Sequence, residues 1–309
     1  MHLSISGRTS IYQLIVFSSV FLASVSTIYT QTTTKTDQTK GTYFGQTLPG
    51  ETPVLFAPEV LNSVSAWVEA TAFSPDGNHF FLAVGDSSYS SAKLYYSKCV
   101  NNVWTPFQEA PFISGFTFSH EPVFSANGTT LTFTGKKETG TIDLWTVKYL
   151  AQGWSTPVAL PSPINSDAKE YRGSYLPDGT MYFGSSRSGM MQVYKAYNNI
   201  SQALQVELVG PPISTKSFEG DPCIAPDGHF LIFYSARDGK SADLYVSFSD
   251  GNGGWQTPIN LGDKFNRMDS DEYGAHLSPD GKYLFFTRHT LKGNGIYWAA
   301  SSAIEKLKY

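Results

Sequence analysis

A four-residue turn closing on Asp-Gly or Asn-Gly recurs five times: Ser74-Pro75-Asp76-Gly77, Ser125-Ala126-Asn127-Gly128, Leu176-Pro177-Asp178-Gly179, Ala225-Pro226-Asp227-Gly228 and Ser278-Pro279-Asp280-Gly281. Successive Asp or Asn positions lie 51, 51, 49 and 53 residues apart. Self-similarity at that period is the mark of a solenoid or a propeller, in which each repeat is one supersecondary unit that buries its faces against its neighbours.

The turn chemistry accounts for itself. Pro presets φ at the first corner, Asp or Asn bonds its own backbone two residues on, and Gly takes the positive φ that starts the return strand. Short apolar runs precede each turn, as in Ala72-Phe73 and Val123-Phe124. β-branched and aromatic runs follow it: His79 to Val84, Thr130 to Thr134, Met181 to Gly184, Phe230 to Tyr234 and Tyr283 to Thr287. A third strand is signed by Lys93-Leu94-Tyr95, Asp143-Leu144-Trp145, Gln192-Val193-Tyr194, Asp243-Leu244-Tyr245 and Gly295-Ile296-Tyr297. A fourth follows Trp104-Thr105-Pro106, Trp154-Ser155-Thr156-Pro157 and Trp255-Gln256-Thr257-Pro258, with Val206 to Pro212 in its place in the third repeat.

Four strands per repeat make one propeller blade. The fold class expected is therefore all-β, a β-propeller of five four-stranded blades, with six as the alternative if residues 41 to 52 add a further strand. The last repeat has only three strands before the chain ends. The apolar run Pro53 to Leu61 supplies the missing one, closing the ring and removing its open edges.

These residues resemble the TolB-like, or WD40-like, propeller repeats, whose mark is a Ser-Pro-Asp-Gly turn followed by a strand and later by an Asp-Leu-Tyr strand. The second turn departs from that pattern with Ala126-Asn127, and the family is often built with six blades. The resemblance implies a fold and leaves function open, because such repeats occur both in binding scaffolds and beside catalytic domains.

Residues 9 to 34 carry no charge, Arg8 precedes them, and the run from Ile11 to Ala23 has the length of a signal-peptide apolar region. The organisation expected is a signal peptide over residues 1–26, a polar Thr- and Gln-rich linker over 27–52, and the propeller over 53–309. An uncleaved anchor is the alternative reading of the first segment. A periplasmic or secreted monomer with no membrane span in the mature chain follows. A net charge of −4 without any basic cluster gives no footprint for nucleic acid. Cys99 and Cys223 fall in the first and fourth blades, which are not neighbours in a ring of five, so a disulfide between them is not expected.

In each hairpin the start of the first strand and the end of the second share one face of the ring, opposite the turns. Carboxylates stand near the start of every innermost strand: Glu69, Glu121, Glu170, Glu219 and Glu272, lying 7, 6, 8, 8 and 8 residues before the turn's Asp or Asn. Asp221 and Asp271 add to two of them. Lys136, Arg187, Arg237 and Arg288 end the second strands, while the first repeat has Gly85-Asp86 instead; Arg172 enters beside Glu170. The pattern implies an acidic inner ring and a basic outer ring. Either the two rings pair with each other, or they bind a protein segment or a glycan at the channel mouth.

No nucleophile elbow or phosphate loop is present, and no cofactor is implied. His120, His276 and His289 approach the same face without the spacing of a metal site. The enzymatic alternative is glycoside cleavage by two carboxylates, for which Glu69, Glu121 and Glu170 in the first three blades are the candidates by analogy with other five-bladed propellers. An acid pair with one depressed and one raised pKa would favour the enzyme; a uniform ring of Glu–Arg pairs would favour the binder.

Overall fold

The computed structural model describes residues 40–308 except 87, 89, 126, 240 and 241. The expected signal segment and the linker as far as residue 39 lie outside the described residues. The described residues form one compact unit.

All five turns form as their chemistry requires. The glycine N–H donates to the first turn carbonyl, from Gly77 to Ser74 at 2.8 Å through Gly281 to Ser278 at 2.8 Å. The five glycines have φ between 68° and 89°. Each Asp or Asn side chain accepts the N–H two residues on, as Asp178 does from Thr180 at 2.9 Å. The hairpins these turns close are the inner half of five antiparallel sheets arranged in a ring, a five-bladed β-propeller. The innermost strands are Val68–Phe73, Phe116–Phe124, Glu170–Tyr175, Glu219–Ile224 and Asp271–Leu277.

The fifth blade is completed by the N-terminal segment, but by less strand than the sequence suggested. Only Val54–Leu55 pairs with the outer strand Gly293–Ala300, setting Val54 opposite Trp298 and Leu55 opposite Tyr297. Pro58–Leu61 turns instead into a single helical turn with Pro at its start, where its missing N–H costs nothing. Residues 41 to 52 add no sixth blade. Thr42–Gly45 is a 3₁₀ turn whose Tyr43 and Phe44 are buried.

Two paired residues cannot hold a ring shut, and the seam is held by aromatic packing. Phe56, fully buried, lies 5.1 Å from Phe285 and 5.0 Å from Trp298, centroid to centroid. Phe44 lies 4.5 Å from Trp104, and Tyr43 lies 5.1 Å from Phe73. Blade one and blade five thus share a single apolar cluster, and each such ring buries a large area in edge or tilted geometry.

Phe56→Ala is expected to cost about 3 to 5 kcal/mol through the cavity it leaves. In a denaturant titration the midpoint should fall with an unchanged slope. A variant as stable as the parent would show that the seam does not depend on this ring.

Candidate functional site

Counting back from the turn's Asp or Asn sorts the inner-strand residues into three levels. Eight residues before it stand Val68, Ser119, Glu170, Glu219 and Glu272. Seven before stand Glu69, His120, Tyr171, Gly220 and Tyr273, and six before stand Ala70, Glu121, Arg172, Asp221 and Gly274. At the last level every blade does the same thing. The ladder with the second strand slips immediately after the seventh-level residue, and the sixth-level residue has positive φ: 45°, 50°, 39°, 48° and 65° in chain order. Four of these five are not glycine, so each costs of the order of 1 to 3 kcal/mol of backbone strain.

The five carboxylates consequently do not form one ring. Glu170, Glu219 and Glu272, at the eighth level, are fully buried and pair within their own blades: with Arg187 at 3.2 Å, Arg237 at 3.6 Å and Arg288 at 2.6 Å. Each also accepts a hydroxyl, from Ser166, from Thr215 at 2.6 Å and from Ser270 at 2.6 Å. Each arginine donates onward to carbonyls of the loop entering its blade, Arg187 to Pro163 at 2.8 Å, Arg237 to Ile213 at 2.7 Å and Arg288 to Phe265 at 2.6 Å. It also lies over the third-strand tyrosine, 4.9 Å from Tyr194, 5.0 Å from Tyr245 and 4.2 Å from Tyr297. These are clamps that satisfy one another. In blade two the same aromatic slot, Trp145, is covered by Lys137 at 4.6 Å. Lys136 makes no ion pair among the described residues.

Glu69 and Glu121 sit elsewhere, one and two levels deeper. Glu69 Oε1 lies 3.2 Å from His120 Nε2, while Oε2 accepts from the Tyr273 hydroxyl at 2.6 Å and from Asn294 at 3.2 Å. In blade one the second strand ends at Gly85, whose backbone lies against the Glu69 carboxylate. His120 Nδ1 is 3.8 Å from Glu121 Oε1. Glu121 Oε2 accepts from the Thr134 hydroxyl at 2.7 Å and from the backbone N–H of Arg172 at 3.0 Å. Across the axis Asp221 accepts the N–H of Gly274 at 3.0 Å.

Burial and charge set the protonation of this cluster. Burial opposes the charged form of His120, but the carboxylates of Glu69 and Glu121 outweigh it and raise its pKa to about 10. Burial also opposes ionisation of Glu121, and His120 and then Arg172 overcome it, holding the carboxyl well below its usual range. Asp221 is driven the other way by burial and by the charge of Glu121, well above the usual carboxylate range. The two acids are thus pushed in opposite directions, Glu121 toward its ionised form and Asp221 toward its protonated form.

Above this floor opens a cavity of about 750 Å³. Its lower wall is Glu69, His120, Glu121 and Asp221, and its upper wall includes Phe118, Tyr171, Met190, Phe218, Tyr234 and Tyr273. Asp271 lines the rim and accepts the N–H of Ala242 at 3.0 Å. His289 turns aside to Asn294 at 2.6 Å, and His276 lies on the opposite side of the channel floor. Among the described residues no group of three or more His, Cys, Asp or Glu is placed to hold a metal ion. Cys99 and Cys223 are free thiols. The mouth tyrosines Tyr171, Tyr234 and Tyr273 were not among the sequence candidates, although the spacing of 7 and 6 against 8 already separated Glu69 and Glu121 from the clamps.

No protein-family model matches this sequence, nor does any curated protein. Solved structures do resemble it. A putative TolB from Agrobacterium tumefaciens is 16% identical with a TM-score of 0.50, over 84% of this chain and 87% of that one. TolB from Acinetobacter baumannii is 14% identical at 0.46, over 75% of this chain and 54% of that one. A glycosyl hydrolase from Bacteroides ovatus is 12% identical at 0.47, over 77% and 85%. At such identities the likeness is one of fold: the chain is a β-propeller similar in fold to the putative TolB from Agrobacterium tumefaciens.

Glu272→Gln removes one half of a buried pair and leaves Arg288 uncompensated, so a loss of about 3 to 5 kcal/mol is expected by chemical denaturation. A loss below 1 kcal/mol would show the clamp to be dispensable. The raised pKa of His120 contributes stability that is fully present below about pH 6.5 and is lost as pH rises through about 10. Melting temperature should therefore fall between those values, and His120→Gln should flatten that limb. An alkaline limb that persists in the variant would assign it to another group.

Proposed function

We propose that this protein is an extracytoplasmic binding propeller that takes a glycan in the 750 Å³ mouth. The observation that carries this reading is the charge balance of the floor beneath an aromatic wall. Two carboxylates, Glu69 and Glu121, are balanced by the imidazolium of His120 and the charge of Arg172, while burial and Glu121 push Asp221 toward its protonated form. A floor without net charge gives no preference for an ionic ligand. It still offers charged acceptors and donors, to which hydroxyls bond more strongly than to neutral groups. The phenol and phenyl rings of Tyr171, Tyr234, Tyr273 and the half-exposed Phe218 offer flat apolar faces above it. The volume lies within the range of small-molecule sites, lined mainly by apolar groups with a few placed polar ones. The uncharged N-terminal run supports export to the periplasm or beyond. No helix among the described residues is long and apolar enough to cross a membrane.

The split protonation of Glu121 and Asp221 favours a second reading, a glycoside hydrolase. Geometry weighs against it. Hydrolysis needs the two carboxyl groups about 5 to 10 Å apart to admit a sugar or a water between them, whereas Glu121 and Asp221 are both buried and each is tied to a backbone N–H of the next blade. Glu170, the third acid candidate, is closed inside its arginine clamp.

A glycan array probed with the protein, followed by titration of the best ligand, tests the proposal. Glu69→Gln and Tyr171→Ala should each weaken binding about tenfold, equivalent to about 1.4 kcal/mol, with the fold intact by circular dichroism. Binding to peptides with none to glycans would replace the glycan by a protein segment. Release of reducing sugar from a bound glycan, abolished in Glu121→Gln, would restore the enzyme.

A further inference from the structure

We infer that the opposite, turn-side mouth of the channel is a second binding site, one that takes a carboxylate carried on a small apolar body, with Arg172 as its receptor. Arg172 is 1% exposed, yet its Nε and Nη1 have no hydrogen-bond acceptor in the protein. Its Nη2 alone is engaged, donating to the carbonyl of Ala275 across the axis at 2.9 Å. The acids that neutralise its charge do not use those donors. Glu121 takes the backbone N–H of Arg172, and Asp221 takes that of Gly274. A buried guanidinium with free N–H groups is expensive unless an acceptor meets it.

Arg172 is one of the residues lining a cavity of about 230 Å³ that opens among the Pro-Asp-Gly turns, with its two unpartnered donors buried at the side chain's end. Its walls are apolar, with Phe124, Tyr175, Ile224, Leu277 and Pro279 around Arg172 at the floor. The polar side chains nearby are largely committed. Ser174 accepts the N–H of Ile224 at 3.0 Å, and Tyr175 bonds Thr132 at 2.7 Å. The other nitrogen base on the wall, His276, has its pKa pushed down to about 3 by burial and by Arg172. One cation in a narrow apolar funnel matches a monoanion with an apolar tail; a phosphate dianion would need a second cation. A planar carboxylate is also the shape that a guanidinium receives best. A free short-chain acid and the C-terminal end of a polypeptide both present that chemistry.

Calorimetric titration of the full chain separates the outcomes. Butyrate and N-acetyl-alanyl-alanine are compared with their uncharged amides. At least one acid should bind saturably and its amide at least tenfold more weakly. Tighter binding of the peptide assigns a chain end as the source, and tighter binding of butyrate assigns a free acid. Arg172→Gln should abolish acid binding. If that variant does not fold, Cys223→Met extends a cavity-lining side chain without touching the charge, and should weaken acid binding at least tenfold. No acid binding, equal affinity for acid and amide, or acid binding unchanged in either folded variant would overturn the site. Glycan binding at the wide mouth uses different ligands and a different lining, with Arg172 as the shared group, and Cys223→Met, which lines only the turn-side cavity, keeps the two results distinguishable.

Discussion

The left-handed residue in each innermost strand governs everything along the channel axis. Five strands converging there cannot all continue a regular pleat, and each bends at a one-residue slip in its ladder. The bend frees a backbone N–H, and in three of the blades it is satisfied from the blade before it in the ring. Ala70 donates to Thr287, Arg172 to Thr134 and Glu121, and Gly274 to Asp221. Strain at the axis is thereby exchanged for contacts between blades. The same bend swings one side chain per blade into the channel, where Glu121, Arg172 and Asp221 meet while Ala70 and Gly274 leave room. The chemistry of the axis is what three deviant residues make of a repeated backbone constraint.

Much of this could be read from the sequence, and the reason is local. Turn chemistry acts within four residues, so five Pro-Asp-Gly or Asn-Gly turns fixed five hairpins whatever the rest of the chain did. The clamps were legible for the same reason, since Glu170, Glu219 and Glu272 repeat at one spacing from their turns. The closure was legible only in outline. Val54 and Leu55 pair as expected, but Pro58 opens a helical turn, and Phe44 and Phe56 close the seam by long-range packing that no local pattern encodes. The grouping of Glu69 and Glu121 with the clamps treated a difference of one or two residues as scatter. In a strand, one residue turns a side chain to the other face, which separates Glu69 from the clamps, and the left-handed bend at Glu121 turns that acid into the channel.

Charge along the axis is arranged so that no group stands alone. His120 is held protonated by two carboxylates, Glu121 is held ionised by His120 and Arg172, and Asp221 is pushed toward its protonated form by burial and the charge of Glu121. Each shift depends on the others, so the cluster responds as a unit. Neutralising one member moves the preference of its neighbours rather than deleting a single contact. A neutral cluster of this kind is compatible with deep burial, which a uniform ring of five carboxylates would not be.

The two ends of the channel differ because Arg172 divides them. Its backbone faces the wide mouth through Glu121, while its guanidinium reaches past the axis to Ala275 and the turn side. On one side it contributes charge to a balanced, hydroxyl-seeking floor. On the other it presents donors to an apolar funnel a third of the volume. Occupation of the funnel by an anion would offset part of the arginine's field at Glu121, which that field helps to hold ionised. Ligands at the two mouths would then bind with a coupling free energy, reciprocal in sign and size, transmitted through a single side chain without movement of the blades.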